Sequence, residues 1–583
     1  MYSKKYICKN EWYKILKFCK PYFQDITIEI VIVLLVIFIG SVVSNVTPLF
    51  WGQIIDHLTN FEIKSLVLYL LLYFISIFFI YFLSTLESVV GAKLDYKIQS
   101  RMRKDIFDKI LNMKCSELDS FDTGELISHV TSDTGNIVSF TLNFITSIIT
   151  ISINIIASLI FSFQISTQLT FLSIAFIPLS ILSNYFLKRS FRQLNLIQKK
   201  YTDKTSSFYV NSLGHIPDLK SYRIEKNISE NFVNLLKEGW NIQKKGLMLN
   251  NKSSFLSMVI STITSISTII YSAFLILQHA ITIGSFVSFQ TYIDRLNSSI
   301  FDLLQMNYSA QAASVSIDHI EDIFNKQTEE SDTETEKVNV DHISSVEFNN
   351  LQFSYNDIPL LNNICFNISA PGVYAIVGKN GSGKTTILKL MMKYYSCKDG
   401  SIKINKTDIN TCSTLSIRRC MGYYSKDIYI QSDTILNNLL LGSEYYGMNI
   451  IFPELIVACQ RAQLMDFIEN LPQNFYTLVG ENGKLLSSGQ KQKIAIVRAI
   501  LSKSSVLLFD EITSDLDGEV ERDVIKILDI LGRDKIVILV THKVQSLVEA
   551  KKIFLIGDGY VKNEGTHEQL LKTSEQYRLL FES

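Results

Sequence analysis

The chain has 583 residues, 56 Lys plus Arg against 56 Asp plus Glu, and 47% hydrophobic residues crowded into runs within the first 310 positions, so at least two dissimilar parts are expected. No Lys/Arg stripe with interleaved aromatics occurs away from those runs, which argues against nucleic acid as a partner. The eight cysteines form no C-x-x-C pair and show no metal-ligand spacing, as expected of free thiols in a reducing compartment.

Residues 11–25 place Trp12, Ile15, Leu16, Cys19 and Phe23 on one helical face and Lys14 and Lys17 on another, with no small-residue cleavage site after them. This pattern predicts an interfacial helix on the inner leaflet and not a signal peptide. Crossing ~30 Å of hydrocarbon takes about 20 apolar residues. Runs of that length fall at Ile26–Phe50, Leu66–Leu86, Phe140–Phe161, Leu169–Leu187, Phe255–Leu277 and Gly284–Met306, the last being the most polar. The reading is therefore six spans. Connections alternate between short and long, and the basic residues near the span ends, such as Lys93, Lys97, Arg101, Lys188, Arg189 and Arg192, gather in the long ones. The positive-inside bias then puts both long connections and both termini in the cytoplasm.

Leu94, Ile98, Met102, Ile106 and Ile110 recur every four residues, so the spans are expected to continue as helices beyond the membrane. Short breaks at Ser120–Glu125 and Gly214–Asp218 fit either docking points for a neighbouring domain or ordinary surface turns. In the sixth run, Asp294, Ser298, Asp302 and Gln305 share a narrow arc. Carboxylates at membrane depth face a bundle interior or a wet cavity. They fit a patch for a cationic substrate, or a patch neutralised by Arg295 or lying near the inner interface.

Thr328–Glu336 carries five acids in nine residues, Glu329, Glu330, Asp332, Glu334 and Glu336, and reads as a solvated linker. From Ser344 onward, short apolar runs alternate with turns, as in an α/β domain. The expected division is a membrane domain over 1–323, an acidic linker over 324–343 and an ATPase domain over 344–583.

Within that last part, Gly378-Lys379-Asn380-Gly381-Ser382-Gly383-Lys384-Thr385 lies between the apolar run Val373–Val377 and a helix-like run from Thr386 to Lys393. A strand that turns through glycines into a helix aims backbone N–H groups and the positive helix end at one point. Lys384 adds a mobile cation and Thr385 a hydroxyl for Mg²⁺. This is the pattern of a triphosphate cradle and makes ATP with Mg²⁺ the expected ligand. Downstream, Ser505–Asp510 reads as a buried strand ending in Asp510-Glu511, two acids suited to holding a metal and to orienting an attacking water.

These motifs, together with Thr47-Pro48-Leu49-Phe50-Trp51-Gly52-Gln53-Ile54-Ile55-Asp56 and the loop FDTGELISHVTSDTGNI, resemble the exporter-type ATP-binding cassette half-transporters, a group that includes bacterial multidrug, lipid and peptide exporters. The resemblance covers essentially the whole chain. It implies a six-span α-helical domain followed by an α/β P-loop ATPase domain. The partners it implies are a lipid bilayer, an unnamed substrate and a second half-transporter, identical or different. By the same analogy the protein would be an exporter of the bacterial inner or plasma membrane, and the two breaks would couple nucleotide events to the membrane. By the same analogy no leader-cleaving peptidase activity is expected of this chain.

The resemblance also assigns roles. Tyr355, 23 residues before Gly378, would stack on adenine; Thr386 would lie with Lys384 and Thr385 against the nucleotide; Asp510 would hold Mg²⁺ with Thr385. Glu511 would polarise the attacking water and His542 would contact the γ-phosphate. Leu486-Ser487-Ser488-Gly489-Gln490 is similar to the signature LSGGQ, which binds the phosphate held by the opposite subunit, so one chain would not complete a site. Glu481 would be the acid of the stretch before the signature, Ser514–Asp517 the loop crossing the dimer, and His567, in GTHEQLL, would carry no chemistry. Two positions depart from the pattern. Lys426 stands where glutamine is usual, offering donors and a charge but no acceptor for a metal; Ser488 replaces the first signature glycine. Lys426 could slow hydrolysis, swing out to solvent or stabilise phosphate. A weakly hydrolysing regulatory subunit is therefore an alternative to a competent transporter, and an ATP-gated conduit is a third reading.

Overall fold

The computed structural model describes residues 11–24, 26–329, 337–355, 358–513 and 518–581. It divides into two compact units, one comprising residues 1–111 and 120–326 and the other 112–119 and 327–583.

The first unit is helical: α1 (Glu11–Cys19), α2 (Thr27–Thr59), α3 (Ile63–Leu111), α4 (Cys115–Leu118, which lies in the second unit), α5 (Thr123–Ser128), α6 (Thr134–Ile165), α7 (Thr167–Ile174), α8 (Ile177–Gly214), α9 (Ile216–Ser221), α10 (Glu225–Leu277) and α11 (Ile283–Asn325). Four helical stretches among the described residues are long and apolar enough to cross a bilayer: Thr27–Thr59, Ile63–Leu111, Thr123–Ile165 and Glu225–Leu277. The other two expected spans look different. In the fourth, Pro178 has no N–H to offer the Ile174 carbonyl, and the helix breaks between α7 and α8. In the sixth, α11 is one uninterrupted helix whose polar residues keep it outside that group of four. At 1.5 Å per residue, the 49 residues of α3 and 53 of α10 span roughly 70–80 Å, so both run well beyond the hydrocarbon as their periodicity predicts.

The N-terminal helix is shorter than the periodicity over residues 11–25 suggests. The helix stops at Cys19 and a 3₁₀ turn, Lys20–Phe23, follows, with Pro21 in its first positions. Ile15 and Cys19 are buried, Cys19 Sγ sits 3.3 Å from Thr141 Oγ1 on α6, and the Trp12 ring meets Phe144 edge-on at 5.0 Å. Lys14 pairs with Asp318 and Glu321 of α11. Part of the apolar stripe, Ile15 and Cys19, thus packs on protein, while Leu16 on the same face stays exposed.

Small residues let α2 and α11 touch. A Cβ on Gly284 would lie 2.0 Å from the Gly52 carbonyl oxygen, and one on Gly52 would lie 2.6 Å from that of Gly284. Asp56 accepts from the Gly284 N–H at 2.8 Å and from Thr282 Oγ1 at 2.7 Å, satisfying the start of α11. Pro48 leaves the Ser44 carbonyl without its helical donor, and the Arg295 guanidinium supplies one at 2.7 Å. Arg295 is therefore committed to α2, while Asp294 and Asp302 are exposed on α11 and Asp294 accepts from Gln290 at 3.3 Å.

The second unit holds a ten-stranded sheet of β1 (Val346–Tyr355), β2 (Ile358–Ile368), β3 (Gly372–Gly378), β4 (Asp399–Ile404), β5 (Thr407–Asp408), β6 (Met421–Ser425), β7 (Val506–Asp510), β8 (Ile536–Val540), β9 (Lys552–Gly557) and β10 (Tyr560–Gly565). The order is β5-β4-β1-β2-β10-β9-β3-β8-β7-β6. Strands β3, β7 and β8 are apolar runs buried on both faces, as parallel strands between covering layers must be. Their parallel register sets the ends of β3, β8, β7 and β6 side by side, with Asp510 opposite Val540 and Ser425. Helix α12 (Lys384–Met391) follows β3 through the glycine turn.

Two sequence readings shift here. Ser120–Glu125, which fitted either a docking point or a surface turn, stays with the first unit, while residues 112–119 just ahead of it group with the second. The backbone of 112–119 pairs with the chain after α11 (Lys114 N–H to the Gln327 carbonyl, Glu329 N–H to the Asn112 carbonyl), and Asp119 accepts from the Tyr395 hydroxyl at 2.7 Å. Nor is Glu329 solvated linker. Arg418 grips it bidentately at 2.6 and 2.8 Å while lying over the Tyr394 ring. Glu330–Glu336 lie outside the described residues.

Gly284→Val should force α2 and α11 apart and lower stability by about 1–3 kcal/mol, the usual cost of overpacking. A lower thermal denaturation midpoint in detergent checks this.

Candidate nucleotide site

The turn after β3 is built for close backbone approach. Gly378, at φ 155°, lies where a Cβ would come within 2.1 Å of the Ile556 carbonyl oxygen; Gly383, at φ 94°, starts α12 in a left-handed conformation where a Cβ would strike Leu361. Lys384 is buried and its Nζ donates to the carbonyls of Gly378 and Lys379, both at 2.9 Å, folding the ammonium back across the loop. Burial draws its pKa below the usual lysine value, opposed by the nearby Glu511 and Asp510 carboxylates. Inside the same loop the Ser382 hydroxyl oxygen is buried without a hydrogen-bond partner, an acceptor and donor held ready for a ligand.

Thr385 Oγ1 donates to Asp510 Oδ1 at 3.0 Å, tying the first turn of α12 to the end of β7. The other carboxylate oxygen accepts from Tyr423 of β6, also at 3.0 Å. Burial raises the Asp510 pKa, and those two bonds oppose the rise. Glu511 follows in a left-handed conformation, φ 55°, unusual for a residue with a side chain. Its N–H is fixed by the Val540 carbonyl at 3.0 Å, and its carboxylate lies 3.4 Å from His542 Nε2. Burial and the Lys384 charge hold the His542 pKa below the ordinary histidine value, with Glu511 opposing, so the ring is neutral at pH 7. Lys384, Thr385, Asp510, Glu511 and His542 thus converge beyond the C-terminal ends of β3, β7 and β8. A threonine hydroxyl beside a carboxylate is a hard-oxygen set that fits Mg²⁺.

Tyr355 is half-buried at the end of β1, edge-on to Phe353 and Tyr395 at 4.7 and 5.2 Å, and its hydroxyl is 3.5 Å from Thr386 Oγ1. Lys379, Asn380 and Gly381 form the exposed rim of the loop. Lys426 is exposed one residue past Ser425, the register partner of Asp510.

The signature stretch begins the helix Ser488–Leu501. Leu486 is buried as an anchor, whereas Ser487 and Ser488 are exposed and Gly489 and Gln490 are partly covered. Ser487 caps the helix by accepting from the Gln490 N–H at 3.2 Å, and Gln490 Oε1 accepts from the Ser487 N–H at 2.8 Å. The result is a rigid helix end presented outward, suited to an anion. Among the described residues, no hydrogen bond or ion pair joins the signature to the cluster around Lys384. Glu481 is exposed and pairs with Lys484, and Ser514–Asp517 lie outside the described residues.

Two contributors went unread in the sequence. Tyr423 holds Asp510, and Tyr395 props Tyr355 while donating to Asp119. Neither belongs to a motif; both depend on strand order.

The fold and this site define a membrane-embedded P-loop ATPase. The model of the ABC transporter transmembrane region matches residues 30–300, and that of the ABC transporter ATPase region, described as ABC transporter, matches 361–514. The chain is similar to the lactococcin-G-processing and transport ATP-binding protein of Lactococcus lactis (29% identity over 71% of this chain, which spans 59% of that protein) and to the ATP-dependent lipid A-core flippases of Syntrophus aciditrophicus (26%, 86% and 82%) and Haemophilus influenzae (29%, 83% and 82%). The solved structure of a bacterial Atm1-family ABC exporter with ATP bound superimposes with a TM-score of 0.83 at 21% identity, over 95% of this chain and 98% of that one. The chain belongs to the ABC transporters, in the exporter branch that places its membrane region before its ATPase region. It is accordingly a multi-pass membrane protein that binds ATP and drives transport by hydrolysing it.

Lys384→Met should weaken ATP binding by about 10- to 150-fold, the loss of a charge-assisted contact of roughly 1.5–3 kcal/mol, as read by titration with a fluorescent ATP analogue. Because the Asp510 pKa is raised, its carboxylate takes up a proton at higher pH than a surface aspartate does. The Mg²⁺-dependent part of ATP binding should therefore fade earlier on acidification than a surface carboxylate would dictate, and Asp510→Asn should abolish that pH dependence.

Proposed function

We propose that two chains close head-to-tail around two ATP molecules, that closure and hydrolysis switch the membrane helices between inward and outward access, and that the cycle exports a substrate. The observation that carries this reading is the convergence of Lys384, Thr385, Asp510, Glu511 and His542 at the ends of β3, β7 and β8. In it, the loop amides from Lys379 to Thr386 and the Lys384 ammonium hold the phosphates, and Tyr355, propped by Tyr395, stacks on adenine at about 0.5–1.5 kcal/mol. Glu511, held by its backbone, takes up the proton of the attacking water; neutral His542 donates to the γ-phosphate. Ser487, Ser488, Gly489 and Gln490 complete the site from the opposite chain, with Leu486 as their buried anchor. Mg²⁺, held by Thr385 and Asp510, would neutralise charge on the phosphates.

On this reading residues 1–323 form a six-span translocation domain, 324–343 a linker and 344–583 the ATPase domain, in a bacterial inner or plasma membrane with both termini cytoplasmic. The segment 112–119 and the break at Gly214–Asp218 are its coupling points. Asp294 and Asp302, exposed on α11, suit a cationic substrate, a reading favoured by the commitment of Arg295 to the Ser44 carbonyl.

One observation favours a second reading, a slow regulatory subunit of a heterodimer. Lys426 follows the register partner of Asp510, so a positive charge stands near the proposed metal position. Steady-state ATPase activity of the chain alone in lipid nanodiscs separates the two. A competent homodimer should turn over, with Glu511→Gln slower by about 10²–10⁴-fold and Lys426→Gln little changed. A silent chain that is revived by Lys426→Gln would establish the regulatory reading instead. For the substrate class, Asp294→Asn combined with Asp302→Asn should weaken binding of transported cations; unchanged affinity for all of them would overturn it.

A further inference from the structure

We propose that His129, Asp133 and His319 form a binding site for a divalent transition-metal ion of the zinc class, fastening the start of α6 to the end of α11. The three residues lie in the first unit, their ligating atoms within 4.8 Å of one another. His129 Nδ1 is 2.8 Å and His319 Nδ1 3.0 Å from the same oxygen, Asp133 Oδ2. A tetrahedral ion with bonds of about 2.0–2.1 Å sets its ligand atoms ~3.3 Å apart, so a small outward relaxation admits one between them. The donor set decides the class: two imidazole nitrogens and one carboxylate oxygen suit zinc and its neighbours, whereas Mg²⁺ and Ca²⁺ take oxygen.

The surroundings are those of a built site. His129 and Asp133 are buried, and Ser316, also buried, donates its hydroxyl to the other carboxylate oxygen at 2.7 Å, fixing the ligand's orientation as an outer-shell partner does. The chain from His129 to Asp133 is a π-helical turn between α5 and α6, a local widening frequent at functional sites. The His129 and His319 rings lie 5.0 Å apart between centroids, and Phe121 closes over His129 edge-on. Three protein ligands leave a fourth position for water or for Glu125, whose Oε1 is 3.5 Å from His129 Nε2. A buried carboxylate needs compensation, and a bound divalent cation supplies it. The site is independent of the nucleotide reading: none of its residues belongs to the ATPase unit.

The test uses the full-length protein in detergent, stripped with EDTA and then titrated with Zn²⁺ against a chromogenic chelator and with Co²⁺ by visible absorption. About one equivalent per chain should bind, with tetrahedral ligand-field bands for Co²⁺. His319→Ala and Asp133→Asn should remove that equivalent, and Ser316→Ala should weaken it by about 10–100-fold. Retained ATP binding in these variants shows that they are folded. The proposal is overturned if the unaltered protein takes up no ion, leaving a purely hydrogen-bonded cluster, or if His319→Ala binds Zn²⁺ as tightly as the unaltered chain, which would assign the ion to the thiols.

Discussion

The hydrogen bond from Thr385 to Asp510 joins the two halves of the nucleotide site, and much of the second unit is arranged to make it possible. Thr385 sits at the start of α12 because the glycines of the preceding turn permit a backbone no other residue accepts. Asp510 arrives at the same point because β7 runs parallel to β8, and β8 to β3. A carboxylate at the buried end of a strand is costly unless it is bonded. Tyr423 and Thr385 satisfy it from either side, and this holds its charge beside the loop.

The next residue stores a different cost. Glu511 occupies a left-handed conformation that a glycine would adopt more readily, kept there by the Val540 carbonyl. That geometry turns its carboxylate toward His542, on the neighbouring strand's exit. Strain held at this carboxylate, beside a histidine whose pKa burial and Lys384 lower, fits the water-activating role proposed for Glu511. Outside this cluster, the signature helix presents its capped end outward, consistent with a site closed by a second chain.

What was legible in the sequence follows from how local each signal is. The phosphate loop, the acids after β7 and the signature are each contiguous and so can be read as text, and the fold brings the first two together. Tyr423 and Tyr395 are not contiguous with anything they serve; only the order β8-β7-β6 and the packing of β1 bring them in. The same distinction holds in the membrane unit. Long apolar runs gave most of the helices, but the break before Pro178, the burial of Ile15 and Cys19 against α6 and the use of Arg295 on the Ser44 carbonyl are tertiary facts. Counting acids suggested a solvated linker, yet Arg418 holds Glu329 through contacts that composition does not record.

The central claim is that each ATP is held by the phosphate loop of one chain and the signature of the other. Co-expression of two differently tagged chains, purified as mixed pairs, tests it directly. In one pair, a Lys384→Met chain is combined with a Ser487→Arg chain; in the other, a chain carrying both substitutions is combined with an unaltered one. If sites form across the interface, the first pair keeps one site with both parts intact and hydrolyses ATP, while the second has a defect in each site and is silent. Activity in the second pair with silence in the first would contradict the account, because it would place loop and signature of one chain in the same site.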